Sequence, residues 1–201
     1  GGLARRWFKD SVCGQEKDGD YFDVLNDAAK DIPAGSDGVL FLPYLTGGTN
    51  DVKEATGCFL NMTLDTDQAT LWHAVLEAIG YDYMEITDLY SGAGVDMSRI
   101  TITEGGSRSE IWNQMKSDML GSEVITLKNA GGAVVTDCIV GAYALGHITD
   151  MKAALTESLE IKKLYYTNAE NHDFYAKQYA LQKKLVKQDM KEAFHTLKAL
   201  H

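Results

Sequence analysis

The stretch ITITEGGSRSEIWNQMKSDMLG, residues 100–121, constrains the chain more than any other. ITITE (100–104) alternates apolar and polar residues as a strand does, and SEIWNQMKSDML (109–120) sets its apolar residues at helical spacing. Between them stand Gly105 and Gly106. Two glycines at a strand-to-helix junction let a ligand approach the backbone without meeting a Cβ. The helix that follows offers unpaired N–H groups and partial positive charge. A phosphate or a nucleotide suits that arrangement, although taken alone a tight turn with no ligand is the plainer explanation of the glycines. No Walker A lysine follows, and the spacing is not GxGxxG. The GAG at 92–94 precedes a strand, the wrong order for a dinucleotide fingerprint.

The remaining pattern supplies the architecture. Short helices are expected over 3–12 and 21–32, the second stopped by Pro33 and Gly35. GVLFLPYL (38–45) and GCFLNMTL (57–64) read as two strands joined by an eleven-residue loop, an antiparallel pair. Asp65 or Thr66 can cap a long helix along which Leu71, Val75 and Ile79 keep helical spacing, ended by Gly92 and Gly94. After the strand–turn–helix of 100–120 come a strand at 123–127 and a Gly/Ala-rich helix at 132–145. A short helix at 151–159 and a long terminal helix at 174–200 follow. Strands alternating with helices define an α/β domain.

Composition excludes several classes. With 45% hydrophobic and 24% charged residues the chain is globular. A net charge of −10 disfavours nucleic acid, which needs clustered positive charge. Lys183, Lys184, Lys187 and Lys191 read as the solvated face of the terminal helix. No apolar run approaches the roughly 20 residues of a membrane span, and no signal peptide is seen. Cys13, Cys58 and Cys138 form no CxxC pair, so a reduced, cytoplasmic chain without disulfides or a zinc knuckle is expected. The chain opens on Gly-Gly without an initiator Met, as a piece of a longer protein would.

Other local signals have plain structural readings. His73 sits inside the long helix, and His147, His172 and His195 lack HxxxH spacing, so no metal site is expected. The acid pairs Asp20/Asp23 and Asp65/Asp67 fall at helix starts, where the dipole favours them. The small residues of GGAVVTDCIVGAYALG (131–146) suit tight packing on a sheet or a neighbouring helix. Spacing singles out no Ser-His-Asp arrangement.

The order of segments adds a resemblance. GG-x-x-x-RWF-x-D at 1–10, DGVLFLPYLTG at 37–47 and ATGCFLNMTL...ATLWHAVLEAI at 55–79 come first. EGGSRSEIWNQMKSDMLGSEV at 104–124 and a Gly/Ala helix ending at Gly146 follow. Together, over about residues 1–180, they resemble the C-terminal half of the FGGY carbohydrate kinases, most nearly the xylulose kinases. The resemblance implies an actin-like ATPase (ribonuclease-H-like) domain, a mixed sheet flanked by helices with a long C-terminal helix. The whole of 1–201 would be one domain, the nucleotide-binding half of a sugar kinase whose N-terminal domain is absent here. It further implies that adenosine lies against Gly105 and Gly106, with Glu110 near adenine or ribose. Gly2 and Arg6 would stand near the ATP phosphates, Arg6 as a charge partner.

The implied reaction moves the γ-phosphoryl of MgATP to a sugar hydroxyl, with D-xylulose first and gluconate, ribulose or glycerol as alternatives. The catalytic Asp base and the sugar contacts belong to the missing part, so this chain alone is expected to be inactive, with no catalytic or metal-binding residue of its own. A non-catalytic actin-like assembly or regulatory domain is the rival class, and a homodimer is left open. Several positions depart from the family pattern: Gly48-Thr49-Asn50 in place of Glu-Arg and a later Pro, Asn61 for Gly, Thr70 for His, and Thr136-Asp137 for Gly-Ala.

Overall fold

The computed structural model describes residues 2–48, 52–128 and 132–200. Thr49 and Asn50, and Gly131 at the head of the Gly/Ala segment, lie outside the described residues. Helix α1 (Gly2–Trp7) runs directly into a π-helical turn, Phe8–Val12, and α2 spans Tyr21–Ala29. Strands β1 (Leu40–Leu42) and β2 (Cys58–Leu60) pair antiparallel, with Phe41 opposite Phe59 and their rings stacked at 4.4 Å. Each strand is shorter than its apolar run. Pro43, without an N–H, follows β1, and Asn61, in the left-handed region at φ 61°, follows β2.

The long helix α3 (Gln68–Gly92) is the keel of the molecule. Its cap is Asp67, two residues later than the first candidate. The Asp67 carboxylate accepts from the Thr70 N–H and hydroxyl at 2.8 and 3.0 Å. Trp72, Val75, Leu76 and Ile79 bury one face of α3 against α1, α2 and β1. Gly80 lies under Met119 of α4 (Glu110–Leu120); a Cβ at Gly80 would stand 2.1 Å from the Met119 sulfur, so the glycine sets how closely the two helices approach.

Strands β3 (Arg99–Ile102), β4 (Glu123–Leu127) and β5 (Ile161–Tyr165) form a mixed sheet in the order β3-β4-β5. The β3–β4 pair is parallel, bridged by α4, and β4–β5 is antiparallel. Strand β5 was not anticipated: IKKLY exposes three of its five residues, so it lacks the apolar run that marks β4. After it, α7 (Ala169–Lys184) begins at the cap Asn168, before the expected 174. A π-turn at Leu185–Asp189 then separates it from α8 (Lys191–Ala199).

Helix α5 (Gly132–Ala144) packs chiefly against α6 (Met151–Ser158). Val134 is 67% exposed and Leu145, just past the helix, 76%. The small residues that suit tight packing are present, and their main neighbour is one helix rather than the sheet. Thr136 and Asp137 are exposed on it.

Candidate functional site

The turn after β3 is a single 3₁₀ turn, Glu104–Ser107, leading into α4. Ser109 caps α4 by accepting from the Trp112 N–H at 3.3 Å. Neither Gly105 nor Gly106 adopts a positive φ. A Cβ at Gly105 would meet nothing within 4 Å. One at Gly106 would make ordinary contacts, 3.7 Å to Trp112, 3.9 Å to the Lys116 nitrogen and 4.0 Å to Ile102. The chain's own conformation and packing therefore do not require glycine at either position.

Two side chains of α4 hold this turn from within. The Lys116 ammonium donates to the Gly106 carbonyl at 2.9 Å and to Asn113 Oδ1 at 3.1 Å, while Asn113 Nδ2 donates to the Ser107 carbonyl at 2.7 Å. Lys116 is 2% exposed, and its nitrogen lies 3.8 Å from the centre of the Trp112 ring. Burial, reinforced by the nearby Arg5 guanidinium, pushes its pKa down to about 7. Trp112 ties α4 to α3 by donating from its indole nitrogen to the Leu76 carbonyl at 3.3 Å. Arg5 stands over the same indole at 4.5 Å and over Phe22 at 4.9 Å. Its Nε is buried without a hydrogen-bond partner among the described residues, and burial lowers its pKa.

A cavity of about 480 Å³ opens beside the turn, and Gly2, Arg5, Gly106 and Lys116 are among the residues that line it. Tyr83, Ile86 and Ile100 contribute apolar and aromatic surface to the same cavity. Of the five residues the sequence points to, Gly2 and Gly106 meet here. Gly105 is next in chain to the lining residue. Arg6 is exposed on α1, whereas its neighbour Arg5 faces the cavity. Glu110 is 68% exposed, and Lys163 of β5 donates to its carboxylate at 2.7 Å, which holds that carboxyl below its usual range.

Sequence reasoning passed over Arg5, Asn113 and Lys116. The signal for Lys116 was present: it falls on the same helical face as Trp112, Met115 and Met119, where a lysine interrupts an apolar stripe.

A second polar cluster lies elsewhere. The Glu77 carboxylate accepts from the Gly35 N–H (2.7 Å), the Ser36 hydroxyl (2.7 Å) and the Tyr175 hydroxyl (2.9 Å). Having given its proton to Glu77, the Ser36 hydroxyl accepts from His73 Nδ1 at 2.8 Å, which fixes the His73 tautomer. Burial pushes the Glu77 carboxyl up to about 7 and His73 down to about 4. Ser36 therefore bridges His73 and Glu77, unlike a catalytic triad, in which histidine stands between serine and carboxylate; with Ser36 fully buried, the cluster joins structure rather than attacking a substrate.

The mixed sheet flanked by helices, with its terminal helical segment, defines an α/β domain of actin-like ATPase fold. The chain belongs to the FGGY family of carbohydrate kinases: the model of the family's C-terminal domain matches residues 2–145. It is 28% identical to a xylulose kinase of Staphylococcus epidermidis over 189 residues, 93% of this chain and 37% of that protein. With a gluconokinase of Bacillus subtilis it shares 32% identity over 165 residues, 76% of this chain and 32% of that protein. Among solved structures, a ligand-bound xylulose kinase from Lactobacillus acidophilus superposes with a TM-score of 0.78 at 21% identity, covering 98% of this chain and 39% of the other. The chain therefore spans less than two-fifths of the length of these relatives.

Proposed function

We propose that this chain is the nucleotide-binding half of an ATP-dependent sugar kinase, with D-xylulose as the substrate favoured by the relatives and gluconate as the next. The observation that carries the reading is the glycine pair. Neither backbone geometry nor packing demands glycine at 105 or 106, which leaves close approach by a group from outside as the reason for them. Gly105 and Gly106 would receive adenosine, Gly2 and Arg6 would face the phosphates, and Glu110 would reach the ribose or base once released from Lys163.

Bound ATP would supply the phosphoryl group. This chain's part is to seat the nucleotide and, on closing against a second domain, to exclude water. Among the described residues no three His, Cys, Asp or Glu side chains gather to hold a metal, so Mg²⁺ would arrive with the polyphosphate. The base that accepts the sugar hydroxyl proton would come from the absent domain, and the isolated chain would be inactive. The chain carries no helix, among the described residues, long and apolar enough to cross a membrane, which suits a cytoplasmic kinase.

Calorimetric titration with ATP tests the seat. Wild type is expected to bind and Gly106→Val to lose at least tenfold in affinity, although the fold has room for the first added carbon. Equal binding by both would place the nucleotide elsewhere. Robust phosphorylation of D-xylulose by the isolated chain would overturn the division of labour.

A non-catalytic assembly role has one observation in its favour, the unpaired outer edge of β3 among the described strands. Filament formation without ATP turnover in the longer protein would support it over the kinase reading.

A further inference from the structure

We propose that Lys116 and Asn113 act as positioning residues, a clamp that presets the glycine turn for its nucleotide; this rests on the reading just given. The carbonyl of Gly105 is met by the Arg108 N–H, whereas those of Gly106 and Ser107 are met by Lys116 and Asn113. A trans peptide points its N–H opposite to its C=O. Fixing the carbonyls of 106 and 107 toward α4 therefore also fixes the direction of the following N–H groups, and turns the Cβ-free face of the turn toward the cavity.

The cost of this arrangement argues that it does something. A lysine at 2% exposure gives up its hydration, and packing alone would be served by methionine, which already fills the neighbouring positions 115 and 119. The ammonium is retained by three features together, two oxygen acceptors and the Trp112 ring. Arg5, the other cation over that ring, opposes the charge instead of stabilising it. What Lys116 secures in return is the Gly106 carbonyl of a single short 3₁₀ turn.

Amide hydrogen exchange and ATP titration on the same samples test the clamp. In Lys116→Met, exchange at 105–108 is expected to quicken about tenfold while amides of the α3 core at 74–79 stay as in wild type. Lys116→Arg, which keeps charge and donors, is expected to restore slow exchange at least in part, and ATP affinity is expected to fall and recover in step. Should Lys116→Met fail to fold, Asn113→Ala probes the second leg with the same readouts. Unchanged exchange at 105–108 in the clamp variants would overturn the proposal. Faster exchange with unaltered ATP affinity would leave a clamp that serves no nucleotide, and that result would refute the positioning role while wild-type binding still stood.

Discussion

The Tyr175 hydroxyl donates to the Glu77 carboxylate at 2.9 Å, joining two helices whose residues lie 98 positions apart in the chain. Glu77 receives that bond along with those from Gly35 and Ser36. The loop it holds contains four consecutive left-handed residues, Gly35, Ser36, Asp37 and Gly38, two of them not glycine. Such conformations persist only where surrounding contacts over-determine them, and Glu77 provides those contacts.

Removing one donor should therefore be costly out of proportion to a single hydroxyl. Tyr175→Phe is expected to destabilise the chain by about 1–3 kcal/mol, because a buried carboxylate loses a partner with no water to replace it. Urea denaturation measures this. A change below a few tenths would mean that Glu77 is already neutral and satisfied.

The burial of Lys116 sets a pH dependence of unusual sign. Its folded pKa, about 7, lies below its ordinary 10.5, so the unfolded chain binds more protons between these values. Stability from this group is therefore lowest below pH 7 and rises as pH climbs toward 10.5, by up to about 1.4 kcal/mol per pH unit. The difference in stability between wild type and Lys116→Met, followed from pH 6 to 10, should show that slope. A flat difference would mean the ammonium stays charged throughout.

Asn61 follows β2 at a φ of 61°, the left-handed region that favours glycine. Asparagine tolerates the left-handed region, and Nδ2 donates to the Gly38 carbonyl at 3.0 Å. Asn61→Gly is expected to be close to neutral, while Asn61→Val should cost about 1–2 kcal/mol in a thermal melt. Equal melting of the two variants would count against backbone strain as the reason.

Gly80 and Met119 should behave as a coupled pair. Gly80→Ala is expected to cost about 1–3 kcal/mol by pressing on the Met119 sulfur. With Met119→Ala already in place, the same change should cost much less. Additive effects in that double-mutant cycle would show that α4 simply shifts away.

How much of this was legible in the sequence follows physical lines. Helix α3 and the strand–turn–helix of 99–120 announce themselves because apolar spacing and caps agree over long runs. Strand β5 does not, since pairing along one edge with exposed lysines leaves no pattern to read. The π-turn at Leu185–Asp189 is equally silent in a continuous helical pattern. Around the cavity, Gly106 stood out as half of a conspicuous glycine pair and Gly2 only through the family resemblance, whereas Arg5 and Arg6 differ only in which side of α1 they occupy. Asn113 looks like an ordinary helix residue until its acceptor, the Ser107 carbonyl, is located, and Lys116, although it breaks an apolar stripe, shows what it holds only through the Gly106 carbonyl.

Helix α5 carries a thermodynamic consequence. Val134, Val140 and Tyr143 on it already meet water in the folded chain, so melting it uncovers less new apolar surface than melting a core helix. The heat-capacity increment of unfolding should accordingly fall below the ordinary value of about 12–15 cal/mol/K per residue. The stability curve of the isolated chain would then be shallow, and cooling would weaken it less than most domains of its length.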